Sequence, residues 1–129
     1  MIEGMRRLFV FVFALVTLVG CSSGSQSLSP TDFQKLTSES GVITLDVRTP
    51  AEFAAGHLSN AVNVDVESPD FATQIGQLDP KASYAVYCRS GNRSKVAMEQ
   101  MSAAGFTTTR DLDGGIVAWQ AAGLPVTTG

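Results

Sequence analysis

The sequence predicts an α/β domain with a central, mostly parallel β-sheet flanked by helices. Three observations carry that expectation. Short runs rich in β-branched residues alternate with segments of helical periodicity. No internal repeat and no long linker divides residues 28–129, about a hundred positions, which is the size of one modest core. The composition, 44% hydrophobic and 16% charged, suits a folded unit.

The elements follow in chain order. Ser29-Pro30-Thr31-Asp32 is a helix start, with serine as cap and proline in the first turn, where a missing N–H costs nothing; Phe33 and Leu36 give its apolar side. Gly41 breaks the chain before a strand at 42–45, and Asp46-Val47-Arg48 follows at the strand's end. Thr49-Pro50-Ala51-Glu52 has the reciprocal spacing of a capping box, opening a short helix that Gly56 ends in the left-handed conformation. A second strand is expected at 61–64. Ser68-Pro69-Asp70 repeats the helix-start pattern, and Phe71, Ile75 and Leu78 recur on one helical face. After the turn Asp79-Pro80-Lys81, a strand at 83–87 delivers Cys88 at its C-terminal end. Residues 93–104 read as helix with Val96, Ala97, Met101 and Ala104 on the inner face and Gly105 as the stop. A strand at 107–110, the turn Asp113-Gly114-Gly115 and a helix at 116–122 closed by Gly123 complete the domain. In such sheets ligand sites gather at the C-terminal ends of strands, where Cys88 and the Asp46/Arg48 pair both sit.

Residues 1–20 are read as a signal segment. Arg6 and Arg7 precede an apolar run at 8–19, too short for comfort as a permanent membrane helix, and Gly20 then meets Cys21. Leu18-Val19-Gly20-Cys21 resembles the lipobox of bacterial lipoproteins, whose cysteine becomes the lipidated first residue. Plain secretion of a soluble product is the alternative. Two or more acyl chains on Cys21 would give lasting attachment to the cell envelope, with the domain facing the periplasm. Ser22-Ser23-Gly24-Ser25-Gln26-Ser27 has nothing to bury, so residues 21–27 read as a polar tether.

Without residues 1–20 the chain holds seven basic and eleven acidic residues, a formal charge of −4. That offers no basic stripe for nucleic acid and no general attraction to anionic lipid, so an anchor would act through its acyl chains. One histidine, His57, and scattered carboxylates do not supply the three or four convergent ligands of a metal site, and no cofactor is expected.

Cys21 and Cys88 are the two cysteines, and lipidation would consume the first. Cys88 is then a lone thiol in an oxidising compartment, either inert and buried or reactive. Its neighbours point to reactivity. Ser90, Gly91 and Asn92 let successive backbone N–H groups turn toward a common centre, and the following helix adds its N-terminal donors and dipole. Arg89 and Arg93 add positive charge. These influences favour the thiolate, the nucleophilic form, and an anionic donor beside it. A phosphatase also cradles an anion over cysteine, but its signature places five residues between Cys and Arg, whereas four separate Cys88 from Arg93. No loop aspartate is convincingly placed to protonate a leaving group, with Asp111 and Asp113 left open.

Asp46-Val47-Arg48 with Glu52-Phe53, Gly56-His57 and Ala61-Val62-Asn63 resembles the first signature of rhodanese domains. Cys88-Arg89-Ser90-Gly91-Asn92-Arg93-Ser94 is similar to the active loop of single-domain thiosulfate sulfurtransferases. Leu112-Asp113-Gly114-Gly115 with Ala118-Trp119, then Gly123-Leu124-Pro125-Val126, resembles the family's closing signature. The resemblance implies a rhodanese fold and a double displacement. Cys88 takes sulfur from a small-molecule donor such as thiosulfate, forming a persulfide, and cyanide or a thiol acceptor removes it. It further implies that residues 90–94 stabilise the persulfide through backbone N–H groups and the Ser94 hydroxyl, that Arg93 anchors the loop, and that Arg89 faces the entering anion. His57 takes a structural role by the same likeness. Asp46 and Arg48 steady the sheet end or draw the anion inward. Trp119 belongs to the core, and Tyr87 lies either at the rim or within the sheet. A binding module without turnover and a periplasmic sulfur carrier are the alternative readings.

Overall fold

In the computed structural model, which describes residues 26–129, the apolar runs become strands and the capped segments helices. The segment 1–20, Cys21 and the tether up to residue 25 lie outside the described residues. The sheet runs in the order β1 (Ser27–Leu28), β5 (Thr108–Leu112), β4 (Ser83–Tyr87), β2 (Val42–Asp46), β3 (Val62–Asn63). Every neighbouring pair is parallel. The helices are α1 (Pro30–Thr37), α2 (Pro50–Ala55), α3 (Phe71–Ile75), α4 (Asn92–Ala103) and α5 (Gly115–Ala121). One antiparallel bridge, between His57 and Thr127, fastens the chain's last residues to the loop after α2.

Capping chemistry starts two of these helices as expected. Ser29 Oγ accepts from the Asp32 N–H at 3.2 Å. Thr49 and Glu52 form the reciprocal box, with Glu52 N–H donating to Thr49 Oγ1 at 3.3 Å and Thr49 N–H to Glu52 Oε1 at 3.5 Å. α3 begins at Phe71, later than Ser68 suggested, because Ser68 Oγ accepts from Asp70 N–H and holds a turn there instead. Gly56 ends α2 at φ 159°, ψ 134°, close to extended backbone rather than left-handed.

β4 is buried on both faces, as the centre of a parallel sheet demands. Its side chains alternate. Tyr84, Val86 and then Cys88 join the cluster under α3 and α4, with Leu45, Phe71, Ala97 and Met101. Ala85 and Tyr87 join the opposite cluster under α1 and α5, with Phe33, Leu112, Ile116 and Trp119. Phe33 meets Tyr87 and Trp119 edge to face at 6.4 and 6.3 Å between centroids. Tyr87 is therefore a core residue and not a rim residue. Trp119 is core as expected, its Nε1–H donating to Pro125 O at 2.9 Å.

Two sequence expectations fail on α4 and at the sheet edge. The buried stripe of α4 is Ser94, Ala97, Met98 and Met101, while Val96 is about half exposed and Ala104 faces solvent. Ser27, read as tether, is in β1. Its strand exists because β5 presents unpaired edge amides: Asp111 N–H donates to Gln26 O at 2.9 Å and Asp113 N–H to Leu28 O at 2.8 Å.

Candidate active site

Parallel register brings the site together. Asp46 is paired with Tyr87, so the ends of β2 and β4 leave the sheet side by side. Val47 N–H donates to Tyr87 O at 3.0 Å and holds that alignment one residue further.

At the β2 end, Asp46 and Arg48 form a buried ion pair. Arg48 Nη2 donates to Asp46 Oδ2 at 2.6 Å and Nε to Oδ1 at 3.0 Å, while the Arg48 N–H also reaches Oδ1 at 2.9 Å. A further bond from Nη2 to Gly56 O, 2.7 Å, ties α2 to the sheet. Burial opposes the guanidinium's charge, but the hydrogen bonds and charge of Asp46 outweigh it and the net shift is upward. Burial also pushes the Tyr87 phenol up, reinforced by the Asp46 charge. Tyr87 keeps its proton and accepts from Leu58 N–H at 3.0 Å. Arg48 is thus held inside the structure, with its guanidinium 5.5 Å from the Tyr87 ring centre.

At the β4 end, Cys88 starts the loop that Gly91 converts into α4. Gly91 adopts φ 105°, a left-handed geometry natural to glycine, and its N–H donates to Cys88 Sγ at 3.0 Å. Among the described residues this is the one loop amide bonded to the sulfur, where sequence suggested a ring of them. The thiol is also less open than expected, with Cys88 only 1% exposed. Its side chain packs in the cluster under α3 and α4, while α5 holds the loop's backbone from the other face: Ile116 N–H donates to Cys88 O at 2.9 Å and Val117 N–H to Arg89 O at 3.1 Å. Two environments meet at Sγ. Apolar side chains pack on one side; the Gly91 amide and the start of α4 lie on the other.

The loop residues divide into anchors and exposed positions. Arg93 is an anchor, donating through Nη1 to Glu52 Oε1 at 2.7 Å and through Nη2 to Oε2 at 2.9 Å. The capping glutamate of α2 thus also holds the active loop, a role its position in the capping box hid. Hydrogen bonds from Arg93 pull the Glu52 carboxyl from 4.5 to about 2 against the opposing effect of burial. A carboxyl depressed on folding stabilises the folded state above its unfolded value and loses that contribution as pH falls through its folded value. Glu52→Gln is therefore expected to lower the urea midpoint at pH 7. The gap to wild type should close between about pH 4.5 and about pH 2.

Arg89, Ser90 and Asn92 are exposed. Arg89 lines a cavity of about 330 Å³ together with Arg48, Glu52, Gly56, Ile116, Val117 and Val126. Ser94 is fully buried, its hydroxyl 3.6 Å from Cys88 Sγ and 2.8 Å from Asp111 Oδ2. Asp111, left open above as a leaving-group acid, is buried behind the loop, and Asp113 is on the surface. His57 is structural: its ring stacks on Phe53 at 3.8 Å and Nδ1 lies 2.9 Å from Phe53 O. Asn63, which the sequence suggested only through likeness, bridges Asp46 O and Arg48 O with its amide.

The arrangement can hold one sulfur atom beside an amide donor at a helix start, with the Arg93 guanidinium near enough to feel its charge and Arg89 exposed on the same loop. Comparison with known proteins agrees. A family model described as "Rhodanese-like domain" matches residues 29–122. The chain is 42% identical over 94 residues to "Thiosulfate sulfurtransferase 16, chloroplastic" of Arabidopsis thaliana, covering 63% of this chain and 76% of that one. It is 33% identical over 102 residues to a sulfurtransferase of Allochromatium vinosum, covering 79% and 90%. Two further curated relatives are matched over only 54% of their own length. The crystal structure of a rhodanese-related protein from Thermoplasma volcanium superposes with a TM-score of 0.71 at 31% identity, covering 80% of this chain and 98% of that one. With the fold, the loop and these likenesses in accord, the chain belongs to the rhodanese-like domain family.

Proposed function

We propose that this protein moves sulfane sulfur from thiosulfate or a similar donor to cyanide or a thiol through a persulfide on Cys88. The observation that carries the reading is the Gly91 N–H on Cys88 Sγ at the start of α4, an amide donor and a helix N-terminus placed where a charged sulfur would sit. In the first step the Cys88 thiolate attacks the donor's outer sulfur. A new S–S bond forms as the donor's own S–S bond breaks, and sulfite leaves with the electron pair. An acceptor then attacks the outer sulfur of the persulfide and returns Cys88 as thiolate, with no net oxidation and no cofactor. Arg89, the exposed residue that follows Cys88 in the chain, meets the anionic donor, while Arg93 stays on Glu52 and Asp46/Arg48 hold the platform. Because Cys88 is so well covered, donor entry requires the exposed Arg89–Ser90 part of the loop to give way.

Intact mass after exposure to thiosulfate tests this. The chain is expected to gain one sulfur atom, lose it to cyanide with release of thiocyanate, and do neither as Cys88→Ser. The same covered sulfur favours a second reading, a carrier or a binding module. A chain that takes sulfur from another persulfide but not from thiosulfate would be a carrier. One that takes none from any donor would be a binding module.

We also propose that the domain is held at the cell envelope, facing the periplasm, by acyl chains on Cys21. The support is the sequence alone: the positive start, the short apolar run and the Leu-Val-Gly-Cys stretch. In bacterial fractions the full chain is expected with the membranes and Cys21→Ser is not; equal partition of the two would overturn the anchor.

A further inference from the structure

Behind the active loop lies a chain of polar groups that persulfide chemistry does not itself require. Asp111, fully buried on β5, accepts from Ser27 Oγ at 2.6 Å through Oδ1 and from Ser94 Oγ at 2.8 Å through Oδ2. Lys95 Nζ lies 3.4 Å from Oδ2. Ser94 Oγ is in turn 3.1 Å from Gly91 O and 3.6 Å from Cys88 Sγ. Ser94 has one hydroxyl hydrogen and three acceptors around it: a carboxylate, a carbonyl and a sulfur. The shortest contact is to the carboxylate, and charge-assisted bonds are roughly twice as strong as neutral ones.

On the Ser94 side this geometry suits a thiol, whereas the Gly91 N–H on the loop side serves a thiolate. The Cys88 S–H donates to Ser94 Oγ, and the Ser94 O–H donates on to Asp111. A thiolate has the opposite need, a donor, and the Ser94 hydrogen is already engaged. For Ser94 to serve the thiolate, its hydroxyl must turn away from Asp111, leaving that carboxylate with Ser27 and Lys95.

We propose that Asp111 is a positioning residue for the chemistry of Cys88: by holding the Ser94 hydroxyl, it sets the pH range in which the sulfur is nucleophilic. The inference rests on Cys88 being the sulfur-carrying residue. The other charged groups around the thiol are accounted for. Arg93 is engaged with Glu52 and senses Glu67; Arg89 is exposed on the loop; Lys95 on α4 reaches Gly91 O as well as Asp111; Asp46 is paired with Arg48, whose guanidinium also holds Gly56 O, and Tyr87 accepts from Leu58 N–H. Among these, Asp111 holds a side-chain hydroxyl that also touches Sγ.

The test is the ultraviolet titration of the Cys88 thiolate in the full chain, taken as a difference against Cys88→Ser in each background so that Cys21 cancels. Asp111→Asn removes the charge and loosens the hold on the Ser94 hydrogen, because an amide oxygen accepts less strongly than a carboxylate, and the inflection is expected to move down by about one unit. Ser27→Ala makes Asp111 depend more on Ser94, and the inflection moves up. In a Ser94→Ala background the effect of Asp111→Asn falls below about half. An Asp111→Asn inflection that stays in place or rises overturns the proposal. So does a full shift without Ser94, which would mean that Asp111 acts only as a charge through space. Should Asp111→Asn fail to fold, Ser27→Ala decides: an upward shift supports the proposal and none overturns it. Thiosulfate plays no part in this readout. A thiol that titrates as described but never gains sulfur would sink the proposed function alone.

Discussion

Gly115→Ala is expected to damage both stability and sulfur uptake more than alanine at any other described glycine. Gly115 opens α5 at φ 62°, and a Cβ there would run into the Arg89 carbonyl and lie 2.6 Å from Ser90 N. These are backbone atoms of the active loop, so no side chain can swing aside. Either α5 lifts, breaking the bonds from Ile116 to Cys88 and from Val117 to Arg89, or the loop shifts under the sulfur. Left-handed strain and overpacking together cost about 2–5 kcal/mol. That corresponds to a fall in Tm on the order of 10 °C or more for a domain of this size. Gly105→Ala is the control, since Gly105 has φ 95° with nothing within 4 Å of the added Cβ. It should show the backbone strain, about 1 kcal/mol, with sulfur uptake unchanged. Thermal melts and intact mass on both variants separate the effect of contact from that of conformation.

Arg48→Ala is the second large effect. Asp46 is fully buried, and the substitution strips its carboxylate of the bidentate partner. Removing one member of a buried pair costs about 3–5 kcal/mol, chiefly because the remaining charge is left uncompensated. The Gly56 carbonyl loses its donor too, which frees α2 from the sheet end. Adding Asp46→Asn is expected to recover part of the loss, since a neutral amide is cheaper to bury than a lone carboxylate. Urea unfolding of the two variants measures the difference. If Arg48→Ala alone unfolds like wild type, the pair is not the clamp described above.

Much of this architecture was legible because local chemistry and tertiary need agree. Ser29 and Pro30 cap α1, Thr49 and Glu52 cap α2, and the β-branched run before Asp46 forms a strand, whatever they later pack against. The loop from Cys88 to Ser94 was legible for the same reason: small residues between two arginines after a strand admit few other folds. The misses come from elsewhere in the chain. Val96 looked like core because it is apolar, and Met98, which takes its place on the inner side, was left out of the expected face. The inner stripe of α4 also carries Ser94, whose hydroxyl lies between Cys88 Sγ and the Asp111 carboxylate. Asp111 was hidden too. A carboxylate inside a buried strand breaks the alternation pattern, and its partners Ser27 and Ser94 lie 84 and 17 residues away. β1 has no sequence signal at two residues, and it exists only because β5 needs a neighbour.

That two-residue seam has a mechanical consequence. The chain ahead of residue 26 reaches the domain along β1, so any drag on it arrives first at the bonds between Gln26 and Asp111 and between Leu28 and Asp113. Phe33, sunk in the core, and Leu36 beside it take up the load only afterwards. A gentle tug would therefore unfasten Ser27 from Asp111 while the body of the domain stays whole, and the first group to register the strain would be one hydroxyl removed from the sulfur.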